Sequence, residues 1–260
     1  MKKLSTKPAA FIFLFLAAHP LFAAPAVPWK TGEKFSFNVS VGIIAAGKAT
    51  LEVRDPVEHK ASSNGVTQAY KSYKLVATAE SNGFVDVFYK VRDYNESWLD
   101  MEGLYTHRFE QHNQEGKYHL DQTVEYDWIN KKFHQTDLVK GREPKMEEGD
   151  VPIPVADTLS SLWLVRARPL NVGDEFSLDV HSGKIYPLVV KVLKKETVKV
   201  EAGKFECFLV EPFLKEKGIF IQKGKKLQVW LTADERRIPV KMKAEIFIGS
   251  VRAELAEKPQ

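Results

Sequence analysis

The chain of 260 residues contains one cysteine, Cys207, so no internal disulfide is possible and the core must hold the fold unaided. Long apolar runs are equally scarce. Only residues 8–23 form one, and no later stretch approaches the ~20 residues that a membrane-crossing helix needs. The expectation is a protein that is not integral to a membrane. Excess charge of one sign is missing too: 38 Lys and Arg stand against 34 Asp and Glu. The first 26 residues hold Lys2, Lys3 and Lys7 and no acid, which leaves 35 against 34 in the rest. The sequence pI near 8.9 therefore belongs partly to that segment, and no nucleic-acid partner is expected. Absent as well are the catalytic signatures. There is no G-x-S-x-G elbow and no S-x-x-K pair, since Ser160 is followed at the third position by Trp163 and Ser161 by Leu164. No H-x-x-x-H or H-E-x-x-H run exists, and no cofactor or metal is expected. With 28% charged and 11% aromatic residues, wholesale disorder is excluded.

What is present begins with an export signal. MKKLSTK is a basic opening, residues 8–23 are the apolar centre, and Ala24-Pro25-Ala26 offers an A-x-A cleavage site. Residues 1–26 read as a cleavable signal peptide and the mature chain as a periplasmic protein. No Cys near the cleavage site marks a lipoprotein.

Beyond it, period-two patterns dominate. Phe35, Phe37, Val39 and Val41 alternate with polar residues, as one face of a half-buried strand. Ala49–Val53, Tyr73–Ala77, Val124–Trp128, Phe176–Val180 and Leu227–Leu231 repeat the pattern. Pro187–Leu193 is more continuously apolar, as in a strand covered on both faces. Ser63-Asn64-Gly65, Ser81-Asn82-Gly83, Glu115-Gly116, Ser182-Gly183 and Lys223-Gly224 punctuate these runs. Such spacing predicts an all-β fold, a curved antiparallel sheet or open barrel. One segment departs from it. After Val151-Pro152-Ile153-Pro154, the run Asp157–Arg166 has helical spacing at Leu159, Leu162, Trp163 and Val165, with Asp157 as N-cap and Pro169 as stop. A helix of about three turns, packed on the sheet, is expected there. Residues 140–150 read as a charged surface loop.

Residues 27–260 read as one β domain of two similar halves, about 29–140 and 152–255. Gly32-Glu33-Lys34-Phe35 is echoed by Gly173-Asp174-Glu175-Phe176, Ala46-Gly47-Lys48 by Ala202-Gly203-Lys204, and Trp98-Leu99-Asp100 by Trp230-Leu231-Thr232. A Gly, an acid and a Phe are also a common way to open a strand.

These same blocks carry a family resemblance. Trp29–Val39, Ile44–Ala49, D-T-L-S-S-L from Asp157, A-G-K-F-E-C from Ala202, W-L-T-A-D-E-R-R-I-P-V from Trp230 and the stretch from Ile246 to Leu255 are similar to the DUF3108 family. That family comprises exported bacterial envelope proteins of unknown function. The resemblance covers nearly the whole mature chain and implies a curved, barrel-like antiparallel sheet. It brings no catalytic residues.

Candidate chemistry is sparse. Cys207, in the alternating Phe205–Val210, reads as a buried thiol. His107, His112, His119 and His134 read as solvent-facing strand residues, with His119 and Asp121 on one face. Glu147, Glu148 and Asp150 belong to the charged loop. Arg237, in the turn after Leu231, is a candidate partner for Asp157. The aromatic excess points elsewhere: twelve of sixteen Phe, all five Trp and all eight Tyr remain after the signal. Wide β-barrels enclose apolar ligand cavities. The candidate ligand-binding residues are Phe84, Phe88, Leu159, Leu162, Trp163, Phe220 and Trp230. The function expected is non-enzymatic: binding a hydrophobic small molecule, lipid or acyl chain in a barrel-like cavity. The alternative is an envelope assembly or structural factor, with a filled barrel docking a protein partner.

Overall fold

Alternation builds strands almost throughout in the computed structural model of the protein, which describes residues 26–63, 65–214, 226–246 and 249–259. Residues 1–25 of the signal segment, Phe220 and the Lys223-Gly224 turn lie outside the described residues. The first run comprises β1 (Lys34–Val41), β2 (Ile44–Ser63), β3 (Val66–Ser81), the helical turn α1 (Gly83–Asp86), β4 (Val91–Asp100), β5 (Thr106–Glu115), β6 (Tyr118–Asp127), β7 (Lys132–Val139) and β8 (Lys145–Asp150). The second comprises the helix α2 (Ser160–Arg166), β9 (Glu175–His181), β10 (Ile185–Val200), β11 (Gly203–Leu214), β12 (Leu227–Thr232), β13 (Pro239–Glu245) and β14 (Ser250–Leu255).

The fourteen strands of the described residues join one antiparallel sheet, in the order β8-β7-β6-β5-β4-β3-β2-β1-β14-β13-β12-β11-β10-β9. The chain meanders from the middle to one edge, crosses by way of α2 to the other edge, and meanders back until β14 pairs with β1. The all-β expectation holds, as an open sheet that does not close into a barrel. Its edge β9 is covered by the crossing segment. Ala156 N donates to Asp179 O (2.9 Å), His181 N donates to Ala156 O (2.8 Å), and Thr106 N donates to Val155 O (2.9 Å). Residues 155–156 thus stitch the end of β9 to the start of β5 and cover part of that edge.

The core follows the period-two faces. Phe35 and Phe37 are buried while Val41, at the strand's end, is exposed. In β10, Leu188, Val189, Val190 and Val192 are all buried, so both faces are covered. α2 is the wedge between the halves: Trp163 packs with Trp29, Phe35, Leu75 and Leu99, while Val165 packs with Leu178, Val190 and Val229. Arg166, fully buried, makes a bidentate pair with Glu33 (2.8 and 3.1 Å) and donates to the carbonyls of Arg236 (3.2 Å) and Arg237 (3.1 Å). Its guanidinium also lies over the rings of Phe35 and Trp29.

Several expectations need correction. α2 spans two turns, because the residues just after Asp157 form a turn. Residues 145–150 are the edge strand β8, paired with β7, although their charged side chains resemble a loop. The candidate Phe84 lies in a helical turn capped by Asn82, whose side chain accepts from Val85 N. The helix is tied to the 236–237 turn by Arg166, while Arg237 donates to Glu235 O. Asp157 has other partners, described below. His107 is buried, with its Nε2 3.0 Å from Asp100 Oδ2.

Candidate ligand cavity beneath the helix

The cavity depends on how α2 is seated, and that begins at Asp157. This carboxylate is wholly buried and fully satisfied. Oδ1 accepts from Leu159 N (2.7 Å) and Ser160 N (2.8 Å), which caps the turn leading into the helix. Oδ2 accepts from Ser97 Oγ (2.5 Å) on β4 and Thr106 Oγ1 (2.7 Å) on β5. The aspartate thus pins the helix start to the first half, and the Arg166–Glu33 pair pins the helix end. Between these two anchors α2 spans the inner face of the sheet without filling it.

The space left is a half-open cavity of about 260 Å³. Its roof is α2, through Leu159, Leu162 and Val165 with the hydroxyl-bearing Thr158 and Ser161. One wall, from β10–β13, is aliphatic: Leu188, Val190, Val210, Leu227, Val229 and Met242. The opposite wall carries Leu51, Ala77 and Phe109, and then two amides, Asn95 and Gln111. These two stand opposite each other across β4 and β5. Asn95 Oδ1 is buried and has no hydrogen-bond partner among the described residues. For scale, a dry cavity of ~150 Å³ already takes benzene.

The structure brings Leu159 and Leu162 to this cavity. Trp163 instead sits in the adjoining core, 1% exposed. Trp230 lies between the cavity-lining Val229 and Leu231 and points away from them, with its Nε1 donating to Glu196 Oε1 (2.8 Å). Phe84 and Phe88 stack edge-on, with ring centroids 5.8 Å apart, and are exposed outside the cavity beside the β3–β4 connection. Sequence reasoning missed Asn95 and Gln111 along with the whole β10–β13 wall. The signal available for the amides was that β4 (VRDYNESWLD) carries Asp93, Asn95 and Ser97 on the face that also holds the buried Leu99.

Burial holds two groups with reactive potential in their neutral forms. Burial pushes the Cys207 thiol up to about 12, with nearby carboxylates adding to the shift. His181, buried on β9, shares a hydrogen bond with Tyr126 (2.9 Å), and desolvation lowers its pKa to about 4. Its imidazole is therefore neutral at pH 7. No group of three or more His, Cys, Asp or Glu able to hold a metal occurs among the described residues. No helix of the described residues is long and apolar enough to cross a membrane.

Comparison with known proteins agrees with this geometry at the level of fold. The family model described as "Protein of unknown function (DUF3108)" matches residues 36–256. No curated protein sequence matches the chain. Among solved structures, the chain is similar to a β-barrel-like protein of domain of unknown function DUF1849 from Brucella abortus. The TM-score is 0.55 at 10% identity, covering 92% of this chain and 99% of that one. A protein of YmcC-like fold from Bacteroides fragilis NCTC 9343 aligns over 92% of this chain and all of its own, at 13% identity and a TM-score of 0.32.

Proposed function

The chain belongs to the DUF3108 family, whose function is unknown, and from that premise we propose that it is a non-enzymatic binding protein of the bacterial periplasm. It holds the apolar chain of a lipid-like molecule between α2 and the sheet. The observation that carries this reading is the cavity itself: aliphatic side chains from both halves and from the helix surround about 260 Å³ that the core does not fill. Close packing is the rule in protein interiors, and an unfilled apolar volume on the axis of a fold forfeits dispersion and transfer energy unless something occupies it. The saturated Asp157, the high thiol pKa of Cys207 and the neutral His181 favour binding over catalysis.

Mass spectrometry of protein purified from periplasm without detergent, under native conditions and after solvent extraction, tests the reading. A stoichiometric lipid or acyl species that is lost when Leu162→Trp fills the cavity is the expected result. A clean apo mass, together with no uptake of added octanol, would overturn it. The same spectra report whether residues 1–26 are removed.

The alternative, docking of an envelope protein, is favoured by a different observation. Ile43, Phe84, Val87 and Phe88 are exposed on neighbouring connections, held side by side by Asn82, whose N and Nδ2 donate to Ala46 O (2.8 Å) and Ala45 O (2.7 Å). Cross-linking in cells from a photoreactive residue at position 88 distinguishes it, since a specific protein adduct is expected only under that reading.

A further inference from the structure

The two walls of the cavity ask for different things. The β10–β13 wall is aliphatic, whereas the inner face of β4–β7 carries amides and carboxylates where a solid core would carry apolar side chains. Asn95 stands opposite Gln111, and Asp93 stands opposite Asn113, one step along the same face. Two strands further, Gln122 and Gln135 donate to Asp137. Three amide oxygens on this face are buried without a partner among the described residues: Asn95 Oδ1, Asn113 Oδ1 and Gln135 Oε1. All three are acceptors, and a buried acceptor without a donor is costly. Asp93 and Asp137 add oxygens that accept and never donate when ionised.

We propose that this face receives a polyhydroxylated headgroup, so that the ligand is a glycosylated amphiphile with its apolar chain against the β10–β13 wall and its hydroxyls against Asn95, Gln111, Asn113 and Asp93. Hydroxyls suit the wall because each one donates to an orphaned oxygen and accepts from the amide N–H groups beside it. The cavity reaches this face at Ala77, Asn95 and Gln111, and small residues continue the strand floor beyond it. Ala77 and Ala79 on β3 lie opposite Asn95 and Asp93, and Ala49 on β2 lies opposite Ala79, so a sugar ring would meet methyl groups. An ammonium head also donates, but it cannot accept from the amide N–H groups.

This inference rests on the carrier reading, and its test separates the two. Isothermal titration calorimetry of the protein with octanol, octyl β-glucoside and octylammonium, all below micellar concentration, measures the chain and the head independently. Octanol alone reports on the carrier reading; the ratios report on the head. Octyl glucoside is expected to bind about tenfold tighter than octanol, the gain of one or two good hydrogen bonds. The double variant Asn95→Leu/Gln111→Ala writes the Leu227–Ala244 pair of β12–β13 into β4–β5. It should bring the two ligands to within about twofold by weakening the glucoside while leaving octanol unchanged. Because it removes buried polar groups, thermal melting should show it folded. Equal binding of octanol and octyl glucoside by the wild type, or an unchanged preference in the variant, would overturn the headgroup assignment. Tighter binding of octylammonium than of the glucoside would replace it with a cationic head. Failure of octanol, as well as of the others, would remove the carrier reading and this inference with it.

Discussion

The two halves of the sheet share local geometry and differ in chemistry. Gly32 N donates to Val53 O and Val53 N to Glu33 O; in the second half Gly173 N donates to Val192 O and Val192 N to Asp174 O. Both glycines have positive φ, 85° and 94°. Three strands after each such start comes a tryptophan followed by a register shift, at Trp98/Leu99 on β4 and Trp230/Leu231 on β12. The residue paired with each tryptophan is a cation set over its ring, Arg108 at 5.4 Å and Lys241 at 5.5 Å. Counting back from these tryptophans, Asn95–Gln111 occupies the register position of Leu227–Ala244. One backbone plan thus presents an amide pair on one side of the cavity and an aliphatic pair on the other. The lesson is that strand scaffolding and wall chemistry are set by alternate residues of the same strands and vary independently.

The largest test of that comparison concerns Glu33 and Asp174, which hold the same place in the two strand starts. Asp174 accepts locally from Asn171 N (2.7 Å), whereas Glu33 is buried against Arg166. Glu33→Ala should cost about 3–5 kcal/mol, because it strands a buried guanidinium. Asp174→Ala should cost about 1 kcal/mol, the loss of a partly exposed cap. Urea unfolding that gave equal losses would show the halves to be energetically alike.

Next comes the seam where the halves meet, at His181. Its folded pKa, lowered to about 4 by desolvation, lies below the ordinary 6.5. The unfolded chain therefore binds a proton first as pH falls. Stability should drop by about 3 kcal/mol between pH 6.5 and pH 4 on this account, and His181→Gln should flatten that part of the stability curve. An unchanged curve would show that the imidazole is solvated.

Asp93, on the polar wall, works in the opposite direction. Desolvation first, and the Glu115 charge second, raise its carboxyl from 3.8 to about 6. Here the folded state keeps its proton longer, so stability falls as pH rises from about 4 to about 6. Since the residue is only part-buried, the discounted effect is about 1–2 kcal/mol. Asp93→Asn should recover it at pH 7, as chemical denaturation at the two pH values would show. The smallest effects belong to the matched cations: Arg108→Ala and Lys241→Ala should each cost about 0.5–1 kcal/mol, beyond which the two sites are not equivalent.

Much of the fold was legible because alternation and turn residues are local signals. The strand starts at Gly32 and Gly173 and the Trp98 and Trp230 blocks do take corresponding places. The third echo does not. Ala46-Gly47-Lys48 lies in β2, where a Cβ on Gly47 would stand 2.0 Å from Glu80 O, whereas Gly203 serves a turn with a φ of 139°. The same three letters answer two different steric demands. The lining of the candidate cavity was half legible. Leu159 and Leu162 followed from helical spacing, but spacing cannot tell which face of a helix meets a cavity and which meets core, and Trp163 falls on the core side. Phe84 and Phe88 are apolar yet exposed, because α1 is a capped turn standing clear of the inner face.

The all-β class, the short helix announced by Asp157 and the family can be read along the chain, since each rests on residues that are near neighbours or on a pattern carried from end to end. That the sheet stays open, that Arg166 finds Glu33 133 residues away, and that an amide wall faces an aliphatic one emerge from long-range packing. Those outcomes depend on how far the sheet curves and on the register of non-local pairs, and a one-residue slip in register turns every side chain to the other face.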